Sequence, residues 1–121
     1  MAYSIGDQEK AFLEIIWKNE PINSGKLAEM AFSTFKWKKS TSYTVLKRLC
    51  LKGIVQNENG TVTSTLSEKE LDTHKSRDFV GESFGGSLPA FIAAFVGSEK
   101  LSKADAEEIR EMIDRFLGEE E

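Results

Sequence analysis

A chain of 121 residues, 40% of them hydrophobic and 10% aromatic, is long enough to bury a core, which excludes wholesale disorder. No apolar stretch approaches the roughly 18 residues needed to span a bilayer, and the opening Met-Ala-Tyr-Ser-Ile-Gly-Asp lacks the basic and apolar regions of a secretory signal. A net charge of −4 argues against nucleic acid as a partner of the average surface, but not of a local patch.

The first helix is expected to open near Gly6-Asp7, with Asp7 and Glu9 at the positive end of its dipole. Phe12, Leu13, Ile16 and Trp17 recur at helical spacing and form one apolar face. Asn19-Glu20-Pro21 stops this helix, Ile22 sits in a short extended link, and Asn23 or Ser24 caps a second helix carrying Leu27, Met30 and Ala31. Phe35 and Trp37 fall in the connection that follows, and Trp17 and Trp37 read as packing at the core or its edge. A third helix is expected from Ser40, as its N-cap, to about Lys52, with Val45, Leu46 and Leu49 as its inward stripe and Gly53 ending it. Cys50, beside Leu49, reads as a small buried hydrophobe, and as a lone cysteine it fits a reducing, cytoplasmic setting. Two β-prone runs, Ile54 to Glu58 and Thr61 to Leu66, meet at Asn59-Gly60, the strongest hairpin signal in the chain. Three helices followed by a hairpin is the winged-helix order.

The second half differs in character. Residues from about Glu68 to Phe84 form a helix with an indistinct apolar face (Leu71, Phe79, Phe84), and Gly85-Gly86 breaks it. Ser87 then caps a short helix in which Leu88, Phe91, Ile92, Phe95 and Val96 follow helical periodicity, and Gly97 closes it. A last helix opens at Ser102, with Asp105 three residues on, and carries Ile109, Met112, Ile113, Phe116 and Leu117. Two short helices this apolar cannot bury their faces within so small a segment. Packing against the same element of a second chain solves the problem, so a homodimer is expected, with Leu88, Phe91, Ile92, Phe95, Ile109, Met112, Ile113 and Phe116 at its centre. A ligand pocket between subunits is the other reading of Phe91 and Phe95, and their helical spacing favours a dimer core. The fold class is therefore mainly α with a small β-hairpin: a winged helix-turn-helix over residues 1–67 and a helical dimerisation arm over 68–121.

The charge distribution selects the third helix as the site. Between Lys36 and Lys52 stand six basic residues and no acid (Lys36, Lys38, Lys39, Lys47, Arg48, Lys52), which leaves ten basic residues against 20 acids elsewhere. The DNA-facing set is Lys38, Lys39, Ser40, Thr41, Tyr43, Thr44 and Lys47: lysines suit phosphates, and the hydroxyls suit phosphates or base edges. Two roles stay open for Arg48, phosphate contact or pairing with a carboxylate inside the domain. A second function also stays open, a winged-helix module whose basic face meets an acidic protein without sequence-specific DNA binding. His74 is the single histidine and has no Cys or second His nearby, so no metal site or cofactor is expected. Nor does the chain carry a Gly-rich phosphate loop, a Ser/His/Asp set or paired carboxylates in an apolar setting, and no enzyme is read from it.

With these elements in place the chain resembles the penicillinase-repressor (BlaI/MecI-type) family of winged-helix regulators. The resemblance rests on Ile15-Ile16-Trp17 in the first helix, Trp37-Lys38-Lys39-Ser40-Thr41 entering the third, and Arg48-Leu49 with Lys52-Gly53 before the wing. It continues through Phe84-Gly85-Gly86-Ser87-Leu88 to Phe95 and again at Leu101-Ser102. It implies a dimeric repressor on a short palindromic operator of double-stranded DNA, controlling antibiotic-resistance-type genes, with the third helix in the major groove and the wing near the adjacent backbone. In the penicillinase branch a membrane-linked sensor protease system triggers inactivating cleavage in the arm. The matching bond here is Ala94–Phe95, where better-known members carry Asn before Phe. The C-terminal cysteine cluster of a copper-responsive branch has no counterpart, and the run Thr61 to Leu66 lacks the basic and aromatic residues often found in the second wing strand.

Overall fold

In a computed structural model, which describes residues 4–98 and 100–120, the first helix α1 spans Asp7–Asn19. Gly6 is its N-cap, and the Gly6 N–H donates to Glu9 Oε1 at 3.1 Å, so the acid three residues into the helix ties back to its start. Phe12, Leu13 and Ile16 are buried, and Trp17 lies half-buried with its indole N–H donating to the Leu66 carbonyl at 2.8 Å. After Pro21, β1 (Ile22–Asn23) leads into α2 (Ser24–Phe35). Asn23 caps that helix: its Oδ1 accepts from the N–H of Gly25 at 2.8 Å and of Lys26 at 3.3 Å. Lys36 closes α2 in a left-handed conformation, φ 63°.

The third helix, α3, spans Lys39–Leu51. Its N-cap is Lys38 and not Ser40, a correction to the sequence reading. Lys38 already has extended backbone, and its carbonyl accepts from the N–H of Thr41 and Ser42, so Ser40 falls inside the first turn. Strands β2 (Val55–Glu58) and β3 (Thr61–Ser64) pair antiparallel, with Asn59 at φ 53° and Gly60 at φ 91°. Positive φ at both central positions is the type I′ geometry that Asn-Gly favours. The hairpin is also larger than expected, because β1 adds to its outer side through Ile22 opposite Val62, giving the order β1-β3-β2.

The helix α4 (Glu68–Ser83) opens with a capping box: the Ser67 hydroxyl accepts from Glu70 N–H, and the Glu70 carboxylate accepts from Ser67 N–H, both at 3.1 Å. Gly85 and Gly86 take positive φ, and α5 (Leu88–Ser98) follows with Ser87 Oγ accepting from Ala90 N–H. Gly97 lies within the last turn of α5 and does not end it, a second correction; a single glycine weakens a helix end without stopping it. The last helix, α6 (Lys103–Glu120), starts from Ser102, whose hydroxyl accepts from Asp105 N–H at 3.0 Å.

The chain divides into two compact units, the first ending at Phe79 and the second beginning at Val80. The first unit holds the core, in which Phe12, Leu13, Ile16, Leu27, Leu49, Ile54, Val62 and Leu71 are almost fully inaccessible. Because Leu71 is among them, the opening turns of α4 pack with the winged helix, beyond the expected division after residue 67. In the second unit Phe84 and Phe91 are half-buried with their rings edge to face, centroids 5.5 Å apart. No residue of α5 or α6 whose burial is described is buried. Among the described residues no single helix is long and apolar enough to cross a membrane.

Candidate nucleic-acid interface

Helical period determines which side of α3 meets solvent. Ser42, Val45, Leu46 and Leu49 face inward, so Lys39, Ser40, Thr41, Thr44, Lys47 and Arg48 are exposed, as is Lys38 at the cap. That exposed face carries four cations and no carboxylate of its own. Among the described residues no side chain caps the start of α3, so its positive dipole end stands between Lys38 and Lys39 with no acid in its first turn. Such a helix start attracts phosphate oxygens through both charge and N–H geometry.

Individual residues are less uniform than the sequence implied. Tyr43 is half-buried, its hydroxyl 3.4 Å from Ser24 Oγ and its ring 6.0 Å beneath the Lys39 ammonium. Tyr43 thus orients Lys39 and presents only part of its surface outward. The Thr44 hydroxyl donates to the Ser40 carbonyl at 2.9 Å, which leaves its oxygen able to accept from a base amino group. Ser42, between Ser40-Thr41 and Tyr43-Thr44, is buried, with an Oγ that makes no hydrogen bond among the described residues. An open cleft of about 460 Å³ runs between α2 and α3, lined by Ala28, Glu29, Phe32 and Lys39 among others; Glu29 is the one acid on it among the described residues.

Lys52, counted in the basic run, does not belong to this face. Its ammonium donates to both oxygens of Glu9, at 3.0 and 2.8 Å, and to the Ser4 carbonyl at 2.8 Å. Burial pushes the Glu9 carboxyl upward, and the bond from Lys52, the Gly6 N–H and the nearby positive charges outweigh it, so Glu9 titrates below its ordinary value of 4.5. Nothing in the sequence signalled this pair, since its members are 43 residues apart. Lys36 stands outside the expected DNA-facing set. It is exposed at the end of α2, its ammonium 5.6 Å over the Phe32 ring.

The wing has a different chemistry. From Ile54 to Ser67 it contains no cation, and its exposed side chains are the polar Gln56, Asn57, Asn59, Thr61, Thr65 and Ser67 with one acid, Glu58. Its base is fixed by Glu20, whose carboxylate accepts from the N–H of Ser64 at 2.8 Å and from its hydroxyl at 2.8 and 2.9 Å. Burial raises the Cys50 thiol, which keeps it protonated and of low reactivity.

On the second unit, Leu88, Ile92, Phe95, Met112, Ile113 and Phe116 are exposed, while Phe91 and Ile109 are half-buried. Ala94 and Phe95 are both exposed, in the middle of α5.

The profile of the penicillinase repressor family matches residues 5–115. A penicillinase repressor from Bacillus licheniformis is 26% identical over 114 residues, covering 91% of this chain and 89% of that protein. The methicillin resistance regulatory protein MecI of Staphylococcus aureus is 24% identical over 117 residues, covering 93% and 95%. The solution structure of the DNA binding domain of the repressor BlaI superposes with a TM-score of 0.53 at 27% identity, over 58% of this chain and 90% of that domain.

Proposed function

Since this chain belongs to the penicillinase repressor family, a family of transcriptional repressors and not of enzymes, we propose that it silences promoters as a homodimer seated on a short palindromic operator. The observation that carries this reading is the exposed, acid-free face of α3 on a winged helix that superposes with the BlaI DNA binding domain. Lys38, Lys39, Lys47 and Arg48 contact phosphates and supply the salt-dependent part of the affinity. Ser40, Thr41, Tyr43 and Thr44 stand between them and meet base edges in the major groove, each good bidentate contact discriminating by about 1–3 kcal/mol. The cation-free wing contributes neutral hydrogen bonds to the backbone and little charge.

The second unit supports the dimer reading. Among the described residues, seven large apolar side chains of α5 and α6 stand exposed there, more than a soluble surface carries without a partner. A symmetric pair of arms covers them and sets two copies of α3 on successive major grooves, about 34 Å apart. Promoter occlusion in the cytoplasm is the mechanism, and loss of the dimer derepresses because each half then binds alone. Cleavage at Ala94–Phe95 under a membrane-linked sensor protease system is the matching route of induction. The bond lies within a helix, so α5 must open locally before a protease can take it.

Fluorescence-anisotropy titration against the chain's own promoter and a scrambled duplex, at two salt concentrations, tests the reading. Tight, salt-sensitive binding that prefers the promoter is expected. Equal and feeble binding to both duplexes points instead to a module that recognises an acidic protein.

A further inference from the structure

The Glu9–Lys52 pair joins the start of α1 to the end of α3, and Arg48 lies one turn back on the same helix, its carbonyl accepting from Lys52 N–H at 3.1 Å. Residues four apart on a helix are neighbours on one face, so Arg48 and Lys52 compete for whatever carboxylate lies beside that face. Glu9 is that carboxylate, its side chain only 9% exposed. All three ammonium protons of Lys52 are taken, two by Glu9 and one by the Ser4 carbonyl, whereas Arg48 is exposed and makes no ion pair among the described residues. We propose that Lys52 is a positioning residue: by saturating Glu9 it keeps the Arg48 guanidinium turned outward, available to a DNA phosphate. This inference rests on the DNA-binding reading above and resolves the two roles that the sequence left open for Arg48.

The physical basis is the cost of a nearly buried carboxylate without a counter-ion. Without the ammonium, the nearest cation on the same helix face is Arg48, whose field already acts on Glu9. Its longer, forked side chain can reach inward and pair bidentately. A phosphate contact is then lost in each protomer, although no residue that touches DNA has been altered.

The test compares Lys52→Met with Glu9→Gln/Lys52→Met in the full chain. In the free protein, the Arg48 Nε–H resonance reports pairing directly: it gains protection from exchange in Lys52→Met and loses it again in the double variant. On promoter DNA, the slope of log K against log salt becomes less negative by about 1.8 in Lys52→Met, two contacts per dimer at roughly 0.9 each, and returns to the wild-type slope in the double variant. A merely structural role for Lys52 moves neither readout in this pattern. An unprotected Arg48 with wild-type slope in folded Lys52→Met overturns the proposal, as does a slope that stays reduced in the double variant. If Lys52→Met does not fold, Arg48→Gln is placed in the double-variant background. There it must reduce the slope by the same amount, and no reduction overturns the proposal. Wild-type protein without salt-dependent duplex binding refutes the DNA reading instead, and the resonance in the free protein then still decides whether Lys52 controls Arg48.

Discussion

Replacing Phe116 by alanine tests the dimer through a residue far from the DNA-facing helix. Phe116 is 61% exposed on α6 in the single chain, so most of its surface has no intramolecular partner. Full burial of a phenylalanine is favourable by roughly 2–3 kcal/mol, and that exposed share corresponds to about 1.5 kcal/mol if a partner covers it. A two-fold interface contains the residue twice, so the truncation removes about 3 kcal/mol from association. At about 1.4 kcal/mol per tenfold, the dimer dissociation constant rises roughly 100-fold. Sedimentation velocity over a dilution series measures it, with far-UV circular dichroism confirming that the fold is intact. Promoter affinity at low protein concentration falls in parallel. An unchanged dissociation constant refutes the reasoning, because it leaves the exposed face of α6 outside the interface.

Three further outcomes follow from the same structure. Lys39→Gln removes one phosphate contact per protomer, so the salt slope of promoter binding becomes less negative by about 1.8 while sedimentation still shows the wild-type dimer. Leu71→Ala empties a fully inaccessible site in the first unit and destabilises it by about 2–5 kcal/mol in thermal or urea unfolding; a loss below 1 kcal/mol would show that α4 does not belong to that core. Glu9 titrates below its ordinary 4.5 in the folded chain, so its contribution is present above that value and disappears as pH falls through the lower, folded value. Wild-type stability measured from pH 7 down to pH 3 declines through that acid window, and Glu9→Gln, less stable at pH 7, shows a shallower decline.

Much of the winged helix was legible because its signals are local. Phe12, Leu13 and Ile16 repeat at helical spacing, Asn23 has the side chain of an N-cap, and Asn59-Gly60 has the residues that a type I′ turn demands. What stayed hidden depends on distance or on backbone detail. β1 has only two residues, too few for alternation to register, and its pairing partner Val62 lies 40 positions away. Serine is a common N-cap, which favours Ser40 as the start of α3, whereas here the chain turns helical two residues earlier and leaves Lys38 in the cap position without a side-chain bond. The acid-free run coincides with the exposed cations of α3, but charge counting could not remove Lys52 from them, since that requires knowing that Glu9 lies opposite. Nor could periodicity foresee that Tyr43 points partly toward Ser24 or that Leu71 joins the core of the first unit.

Hydroxyl-radical footprinting of the full-length protein on its own promoter tests the central claim most directly. Two copies of α3 held by one dimer must protect two dyad-related patches, centred one helical turn of about 10 base pairs, or a whole multiple of it, apart. Protection confined to a single patch, or none at concentrations where the dimer is intact, would contradict the account.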